Sequence, residues 1–393
     1  MNQMVSDRNP RTDAPLVSVV MPCLNEEEAI GACIEKIQRA FLTAHINGEI
    51  VVCDNGSTDR SVSIAERMGA RVVHQPLRGY GRAYLKGFAS ANGSYLIMGD
   101  ADDTYDFGLI PDFLKKLTEE SYDFVTGSRY LHGNTSSIPY LHRFVGNPLL
   151  TLILNFLFQT AYTDVYSGYR AFSRKAYELI EPVSPGMEFN LELAINAGLA
   201  GLRIAEIPIE LQPRKGESKL RTLRDGWRSL RMMLLYSPNK VFLWPGLLAF
   251  VIGLAAHVVS LLGLVRFDGR PVAAVTGIFG TIFSVLGFQI LSLGLHAKTY
   301  SWSRRFDSGN AAVDRFYRFF RLETGLLLGT GIMGVGGVGL LFQVLQWVDS
   351  GFAPLAHPEY VSLAATAVIL GAGTVFSSLF ISAMSMKKDD QES

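Results

Sequence analysis

Four long apolar stretches in the second half of the chain place the strongest limit on its fold. Each is long enough to cross the roughly 30 Å hydrocarbon core of a bilayer, and none contains Asp, Glu, Lys or Arg. Within a membrane region at 241–386, we predict spans at Val241–Val265, Val272–Ala297, Gly325–Val348 and Val361–Met386. A fully soluble protein is therefore excluded. Because residues 1–240 have the composition of a globular domain, a chain made only of membrane spans is excluded as well.

The basic residues around the spans predict a topology. Six Lys or Arg residues lie between the second and third spans, and Lys387 and Lys388 follow the fourth, whereas the other two connections contain only Arg266 and Arg270. The positive-inside rule then places the first 240 residues, the middle loop and both termini, including the tail 387–393, on the cytoplasmic side of the cell membrane. Spans without charged residues favour an anchor, with a possible homo-oligomer contact, over a transport path.

A basic amphipathic segment, residues 214–240, precedes the first span. Arg221, Arg224, Arg228 and Arg231 recur at helical spacing, and leucines and a tryptophan form a neighbouring apolar face. A helix with this pattern lies at a membrane surface, where its cations meet anionic headgroups. Two interpretations stay open, a signal that sets the topology and a set of cations that binds the phosphate of a lipid.

In residues 15–213, short β-branched runs alternate with helical patterns, after a tail (1–14) that we expect to be disordered. This alternation predicts an α/β domain with a mostly parallel sheet, a fold class that binds ligands at the carboxyl ends of its strands. The predicted strands are Val17–Met21, Ile50–Cys53, Arg71–His74, Tyr95–Gly99 and Phe124–Thr126. The predicted helices are Glu27–Phe41, Ser61–Met68, Gly81–Ala91 and Pro111–Glu120.

The acidic sequence Asp100-Ala101-Asp102 follows one of these strands. In an extended chain, residues i and i+2 project to the same side, so that both carboxylates face one point. Two close carboxylates repel each other unless a cation lies between them, and Mg²⁺ or Mn²⁺ with substrate phosphates suits such oxygen ligands. The alternative is an acidic turn in solvent, which the position after a buried strand disfavours.

Two further segments can each be interpreted in two ways. The segment Arg78–Arg82 combines glycines and arginines at the start of a helix. It either approaches a diphosphate or forms a simple turn. Neither GxGxxG after the first strand nor GxxxxGK[ST] occurs, which argues against a nicotinamide cofactor and a P-loop. The apolar run Leu149–Phe158 is too short to span a membrane, so it is a core helix or, as we favour, a helix that rests on the membrane.

Taken together, Pro22–Glu27, Asp54–Asp59, Arg78–Gly93 and Asp100–Asp102 resemble the family-2 glycosyltransferases of the GT-A fold. Over residues 15–240 the chain is most similar to the dolichyl- and polyprenyl-phosphate sugar synthases, the group of the dolichyl-phosphate mannose synthases. Further matching motifs are Gly127-Ser128-Arg129-Tyr130, Asp164 with Ser167-Gly168-Tyr169-Arg170, and Gly216-Glu217-Ser218-Lys219. The spans resemble the family only as C-terminal anchors.

The resemblance implies a GT-A catalytic domain followed by a four-helix C-terminal transmembrane domain. It also implies an inverting glycosyltransferase that moves one sugar from a UDP- or GDP-sugar to a polyprenyl or dolichyl monophosphate, in a cell-envelope glycan or protein glycosylation pathway. The absence of Gln-x-x-Arg-Trp favours a single transfer. A glycolipid or polysaccharide acceptor is one alternative, and an inactive nucleotide-sugar-binding membrane scaffold is another. No nucleic-acid partner is expected.

Site residues are carried over by position, as implied by the resemblance. The nucleotide-sugar would contact Pro22, Leu24, Glu26, Asp54, Asp100, Ala101, Asp102 and Arg129. The Mg²⁺ or Mn²⁺ ligands would be Asp100 and Asp102, and these two with Arg129 and Arg170 form the catalytic set. The acceptor phosphate would contact Ser167, Arg170, Arg214 and Lys219. Pro213 stands where the mannose synthases have an arginine, so Arg214 or Lys215 would take that role.

The chemistry of the implied acceptor predicts direct displacement at the anomeric carbon. A phosphate monoester has a second pKa near ~6, so a lipid monophosphate is largely dianionic at neutral pH and needs no strong general base. The protein has to bring two anionic substrates together and to stabilise the departing nucleoside diphosphate. We therefore predict inversion without a covalent enzyme intermediate.

Overall fold

The computed structural model describes residues 14–131, 146–212, 222–268, 270–303 and 322–389. The chain forms two compact units that divide between Met233 and Leu234. Several predicted features lie outside the described residues, namely the N-terminal tail, Pro213, Arg214, Lys215, Lys219, most of the middle loop and the last four residues.

The first unit is built on a seven-stranded sheet. Its strands are β1 Val17–Cys23, β2 Gly48–Asp54, β3 Arg71–His74, β4 Tyr95–Met98, β5 Phe124–Ser128, β6 Arg170–Ser173 and β7 Ile204–Pro208. They lie in the order β3-β2-β1-β4-β6-β5-β7. All neighbouring pairs are parallel except those of β6, which runs antiparallel to both β4 and β5. The sheet is therefore mostly parallel, as the alternating pattern predicts.

Eight α-helices of the described residues lie in the first unit or begin in it. They are α1 Ile30–Thr43, α2 Ser61–Arg67, α3 Tyr80–Ser90, α4 Ile110–Thr118, α5 Asn147–Phe158, α6 Arg174–Ile180, α7 Phe189–Leu199 and α8 Thr222–Tyr236. In α1, Ile30, Ile34 and Ile37 recur on one face and are fully buried. Pro111 in the first turn of α4 costs no intrahelical hydrogen bond, because the first N–H groups of a helix have no partner within it.

The central strands are covered on both faces. In β1, Val17, Val19, Val20 and Met21 are all fully buried, as in parallel sheets that carry helices on both sides. The aromatic ring of Phe172 in β6 stacks on Phe124 at 5.7 Å between ring centroids and extends the core across the antiparallel strand. This packing fixes the strand ends from which the polar loops start.

The second unit contains four long helices, α9 Trp244–Leu261, α10 Ala273–Ser303, α11 Leu322–Asp349 and α12 Pro358–Asp389. A π-helical turn, Asn239–Leu243, precedes α9, and a short hairpin of β8 Arg266–Phe267 and β9 Arg270–Pro271 follows it. All four helices are long and apolar enough to cross a membrane. They correspond to the four predicted spans.

Glycines allow close packing among these helices. The helix α10 packs on α9 and α12, and α11 packs on α12. A Cβ at Gly253 would overlap the backbone nitrogen of Ser284, and one at Gly371 would overlap that of Met333. In the glycine-rich run of α11, Gly329 and Gly336 pack in this way, whereas a Cβ at Gly331, Gly334 or Gly337 would meet no atom within 4 Å. Close packing through glycine therefore applies to part of the run.

Candidate active site

Three loops meet where β1, β2 and β4 end. Because these strands are adjacent and parallel, their carboxyl ends lie at the same edge of the sheet. Cys23 in β1 pairs with Asp54 in β2, and Met98 in β4 pairs with Val20 in β1. The polar residues that follow the three strands are thereby brought to one edge, as predicted.

Side chains bind the loop after β1 to the loop after β2. The backbone N–H of Asn25 donates to Ser57 Oγ at 3.1 Å, and Asn25 Oδ1 accepts from Thr58 N at 2.8 Å. The N–H of Glu26 donates to Ser61 Oγ at 2.8 Å. Asn25 has a positive φ of 57°, a conformation that Asn tolerates better than most residues. These bonds fix the backbone next to Pro22, Leu24 and Glu26, which are all partly exposed at this edge.

Asp54, the last residue of β2, is 6% exposed. Its carboxylate accepts from Ser57 N at 2.9 Å and Gly56 N at 3.3 Å, and His74 Nδ1 lies 3.2 Å from Oδ2. Burial raises the pKa of Asp54, but the hydrogen bonds from Ser57, His74 and Gly56 outweigh burial and hold the pKa below its usual value. The carboxylate is thus ionised and fixed in orientation.

Asn55 connects the same edge to the start of α3. Its Nδ2 donates to the carbonyls of Gln75 and Leu77, both at 2.9 Å, and its Oδ1 accepts from Gly79 N at 2.8 Å. Gly79 has φ 153°, and a Cβ there would overlap the carbonyl oxygen of Pro185. The segment Arg78–Arg82 is therefore a tight entry into α3, with the Arg78 side chain exposed.

The acidic sequence after β4 separates into side chains with different surroundings. Asp100 is partly exposed, and its Oδ1 accepts from the hydroxyls of Tyr80 at 2.9 Å and Tyr84 at 3.3 Å. Asp102 is 7% exposed and accepts from Thr104 N at 3.1 Å. Asp103 forms an ion pair with Lys36 at 2.7 Å, and Ala101 between the first two is buried.

Asp100 and Asp102 offer a donor set that suits Mg²⁺ or Mn²⁺. Both carboxylates follow the same strand at the polar edge, and the hydrogen bonds to Asp100 are of the kind that orient metal-binding carboxylates. Mg²⁺ is usually held by one or two carboxylates together with substrate phosphates and water. Within the described ranges, no three His, Cys, Asp or Glu side chains converge to hold a metal ion by themselves.

Arg129, at the end of β5, forms an ion pair with Asp164. Nη2 lies 2.7 Å from Oδ1, Nε lies 2.5 Å from Oδ2, and the backbone N–H of Arg129 donates to Oδ2 at 3.2 Å. The arginine side chain is 15% exposed and the aspartate is fully buried. Burial lowers the pKa of Arg129, but the charge of Asp164 outweighs burial and raises it above the ordinary value.

Arg170 and Ser167 require a correction, since the expectation that they contact a phosphate does not match their positions. Both are 0% exposed. The guanidinium of Arg170 donates from Nη1 to the carbonyl of Asn190 at 2.5 Å and from Nη2 to that of Val165 at 2.7 Å, so both terminal nitrogens are turned to the backbone rather than to the surface. Ser167 Oγ accepts from Tyr169 N at 3.3 Å. The two residues support the loop and α7 from within the core.

Sequence reasoning missed the side chains that surround Asp100. Tyr80 and Tyr84 were not assigned a role, and Asn190 lies in a helix, α7, that was not predicted. The available signal was the i, i+4 spacing of the two tyrosines, which places them on one face of a helix that starts at the polar edge.

Comparison with protein families gives two matches. The model described as glycosyl transferase family 2 matches residues 18–180. The model described as glycosyltransferase family 2 C-terminal transmembrane region matches residues 295–385.

Two curated relatives come from Haloferax volcanii. The low-salt glycan biosynthesis hexosyltransferase Agl6 is 40% identical over 379 residues, which cover 94% of this chain and 89% of the relative. A dolichyl-phosphate hexose transferase is 36% identical over 211 residues, which cover 53% of this chain and 89% of the relative.

Among solved structures, glucosyl-3-phosphoglycerate synthase from Mycobacterium tuberculosis, in complex with Mn²⁺, UDP and glucosyl-3-phosphoglycerate, matches with a TM-score of 0.43 at 26% identity. The match covers 56% of this chain and 78% of that one.

The relationship to Agl6 extends over nearly the whole length of both proteins. The two family models match the sheet-containing half and the last membrane helices separately. They confirm the expected GT-A domain with a C-terminal transmembrane region. The chain therefore belongs to glycosyltransferase family 2, and it is a glycosyltransferase anchored in a membrane by apolar helices.

Proposed function

We propose that this enzyme transfers one sugar from a UDP- or GDP-sugar to a polyprenyl or dolichyl monophosphate at the cytoplasmic face of the membrane. The observation that carries the proposal is the position of Asp100 and Asp102 at the edge where the loops after β1 and β2 meet. The similarity to a dolichyl-phosphate hexose transferase supports the choice of a lipid phosphate acceptor.

The donor nucleotide would lie along the loops after β1 and β2. Pro22, Leu24 and Glu26 offer partly exposed side chains there, next to the hydrogen bonds that join the two loops. Asp54 supplies a fixed, ionised acceptor at the end of β2, which suits the N–H groups of a base. The sequence Asp100-Ala101-Asp102 would then lie near the diphosphate.

Asp100 and Asp102 would hold the Mg²⁺ or Mn²⁺. When bound, such an ion stabilises the negative charge that develops on the departing nucleoside diphosphate. Asp103 is paired with Lys36 and is not assigned to this role.

The cations proposed for the phosphates are Arg129, Arg214 and Lys219. Arg129 is charged at neutral pH, as arginines are, and it lies at the end of β5, two strands from β4. Arg170 is omitted, since its guanidinium is fully buried. The cations would reduce the repulsion between the donor diphosphate and the acceptor phosphate, so that the acceptor oxygen can displace the nucleoside diphosphate directly.

The acceptor would arrive from the bilayer. Helix α5 buries Thr151, Leu154 and Leu157 but exposes Leu152 and other large apolar side chains. On α8, Trp227 is 64% exposed and Arg231 is exposed as well. Exposed apolar and basic side chains together suit a membrane surface and anionic lipid. The positive-inside distribution of the loops supports the cytoplasmic orientation.

Mass spectrometry of the lipid fraction tests the proposal. The purified full chain is incubated with UDP- and GDP-sugars, Mg²⁺ or Mn²⁺, and undecaprenyl or dolichyl phosphate, and the same assay is run with diacylglycerol and with an oligosaccharide acceptor. We expect a prenyl-phosphate monoglycoside with inverted configuration, and its loss in Asp102→Ala. Transfer only to diacylglycerol or oligosaccharide, a retained configuration, or a glycosylated protein intermediate would contradict the proposal.

A further inference from the structure

A polar network around Asp100 joins α3 to α7 and to the loop after β4. Tyr80 Oη donates to Asp100 Oδ1 at 2.9 Å, and Tyr84 Oη donates to the same oxygen at 3.3 Å. Asn190 Nδ2 donates to Tyr80 Oη at 3.2 Å. Tyr84 is fully buried and Asn190 is 9% exposed, whereas Tyr80 and Asp100 are partly exposed, so the network extends from the interior to the polar edge.

The directions of these hydrogen bonds are determined by the groups involved. An amide nitrogen can only donate, so Tyr80 Oη accepts from Asn190 and directs its own hydrogen at the carboxylate. Asp100 Oδ1 therefore receives its shorter tyrosine hydrogen bond from a hydroxyl whose rotation is already fixed. A carboxylate held in this way loses little freedom when it binds an ion.

The motif around Gly168 and Arg170 holds the network from the other side. Arg170 donates to the backbone carbonyl of Asn190 and so fixes the start of α7. A Cβ at Gly168 would lie 3.1 Å from Tyr80 Oη and 3.4 Å from Asn190 Nδ2, and the first of these distances is shorter than most Cβ contacts. The space around the two polar groups therefore depends on a glycine at this position.

We infer that Tyr80 and Tyr84 are positioning residues that orient the Asp100 carboxylate toward the metal and the donor diphosphate, with Asn190, Gly168 and Arg170 as their support. This inference rests on the proposed function, because it takes Asp100 as a metal ligand. It also assigns a different role to the motif that ends at Arg170. Instead of binding the acceptor phosphate, this motif would support α7 and, through Asn190, the side chains that orient Asp100.

The inference is tested by measuring the Mn²⁺ affinity of the full chain in lipid nanodiscs. Electron paramagnetic resonance detects the binding, once with UDP present and once with GDP. Partners that orient a metal ligand typically contribute about 10- to 100-fold in metal affinity, and we expect a loss of that size in Tyr80→Phe. Tyr84→Phe should lose less, since its bond is longer. Excess Mn²⁺ should restore the turnover of Tyr80→Phe, which a purely structural defect would not allow.

Tyr177→Phe is the matched control. Tyr177 packs on Phe172 and Phe88 in the same aromatic cluster, and no described hydrogen bond joins it to Asp100. This variant should bind Mn²⁺ as the unchanged protein does, with a similar thermal unfolding midpoint. Unchanged Mn²⁺ affinity in both Tyr80→Phe and Tyr84→Phe, or an equal loss in Tyr177→Phe, would overturn the inference.

Two further variants separate this inference from the proposed function. If Asp100→Asn and Asp102→Asn weaken Mn²⁺ binding while the tyrosine variants do not, the positioning role alone is wrong. If neither aspartate variant weakens it, the proposed metal site is wrong and the positioning role falls with it.

Discussion

The guanidinium of Arg129 and the carboxylate of Asp164 form a two-point ion pair, in which Nη2 lies 2.7 Å from Oδ1. Both groups are largely removed from solvent. Loss of one member of a buried pair leaves the other charge without compensation and typically costs about 3–5 kcal/mol. We expect Asp164→Ala to lower the thermal unfolding midpoint strongly, as measured by differential scanning fluorimetry of the full chain.

The exposed pair Glu35–Arg39 provides the control for this prediction. Its side chains are 63% and 72% exposed, and such helical pairs contribute only about 0.3–0.5 kcal/mol. Glu35→Ala should therefore leave the midpoint nearly unchanged. An Asp164→Ala protein as stable as Glu35→Ala would contradict the structural importance of the Arg129 pair.

Asp102 and Asp103 are adjacent in sequence but should respond differently to loss of charge. Asp102→Asn should abolish metal-dependent transfer, because it removes a proposed metal ligand. Asp103→Asn should mainly weaken the contact with Lys36 on α1 and keep most of the activity. Initial rates over a Mn²⁺ titration distinguish the two, and similar losses of metal dependence in both would argue against the assignment.

The buried carboxylate of Asp54 should make stability depend on acid pH. Its pKa is lower in the folded chain, because hydrogen bonds from Ser57, His74 and Gly56 outweigh the effect of burial. The stabilisation is therefore present above the unfolded pKa of about 3.9 and is lost as pH falls through the lower folded pKa. In thermal scans from about pH 5 downward, Asp54→Asn should lose less stability than the unchanged protein.

Glu206 should change the stability with pH in the direction opposite to Asp54. Burial raises its pKa, and the hydrogen bonds from Thr163 only partly offset this. Its contribution is present below the unfolded pKa and is lost as pH rises through the folded pKa. As pH rises above the unfolded pKa of Glu206, Glu206→Gln should therefore lose less stability than the wild-type protein. If Asp54→Asn and Glu206→Gln gave the same dependence of stability on pH, the opposite pKa shifts of Asp54 and Glu206 would be contradicted.

The exposed face of α5 should matter for long-chain acceptors. Leu152 is 65% exposed, and full burial of a leucine contributes about 1.5–3 kcal/mol. If Leu152 inserts into lipid, Leu152→Ser should raise the KM for undecaprenyl phosphate by about tenfold and leave that for a short soluble prenyl phosphate unchanged. The buried Leu154 is the contrasting position. Leu154→Ser should lower the stability of the protein and so reduce transfer to both acceptors alike.

A side chain at Gly168 should disturb the hydroxyl groups around it. A Cβ there would lie 3.0 Å from Tyr105 Oη and 3.1 Å from Tyr80 Oη. We expect Gly168→Ala to displace these hydroxyls and to weaken Mn²⁺ binding about tenfold or more. Tyr105→Phe removes one of the crowding oxygens, so the double variant should lose less than the sum of the single losses. Full additivity would show that the two positions do not interact.

The strands that carry long β-branched runs could be predicted from sequence, whereas β6 and β7 could not. β6 has only four residues and begins with Arg170, so it has neither the length nor the pattern of a buried strand. The contact of the same arginine with a phosphate is implied by the family resemblance alone. Whether a guanidinium binds a ligand or backbone carbonyls depends on the tertiary packing around Val165 and Asn190, which no local pattern encodes.

The position of a polar side chain in the fold can be predicted best where residue type and strand position coincide. Asp100 and Asp102 follow β4 directly, so residue type and topology both indicate the polar edge. Tyr80 of α3 donates a hydrogen bond to Asp100 and accepts one from Asn190 of α7, which lies 110 residues further along the chain. Contacts of that separation arise only when the sheet is assembled.

The reversed direction of β6 gives this short strand two functionally different ends. Since it runs against β4 and β5, it enters the sheet where they leave it, so Arg170 lies at the polar edge and Ser173 at the opposite one. There Ser173 caps α6, and Arg174 donates to the carbonyls of Ala91 and Gly93. Substitutions in this strand should therefore differ in their effect. A change at Arg170 should impair catalysis, whereas a change at Ser173 should lower the stability of the domain.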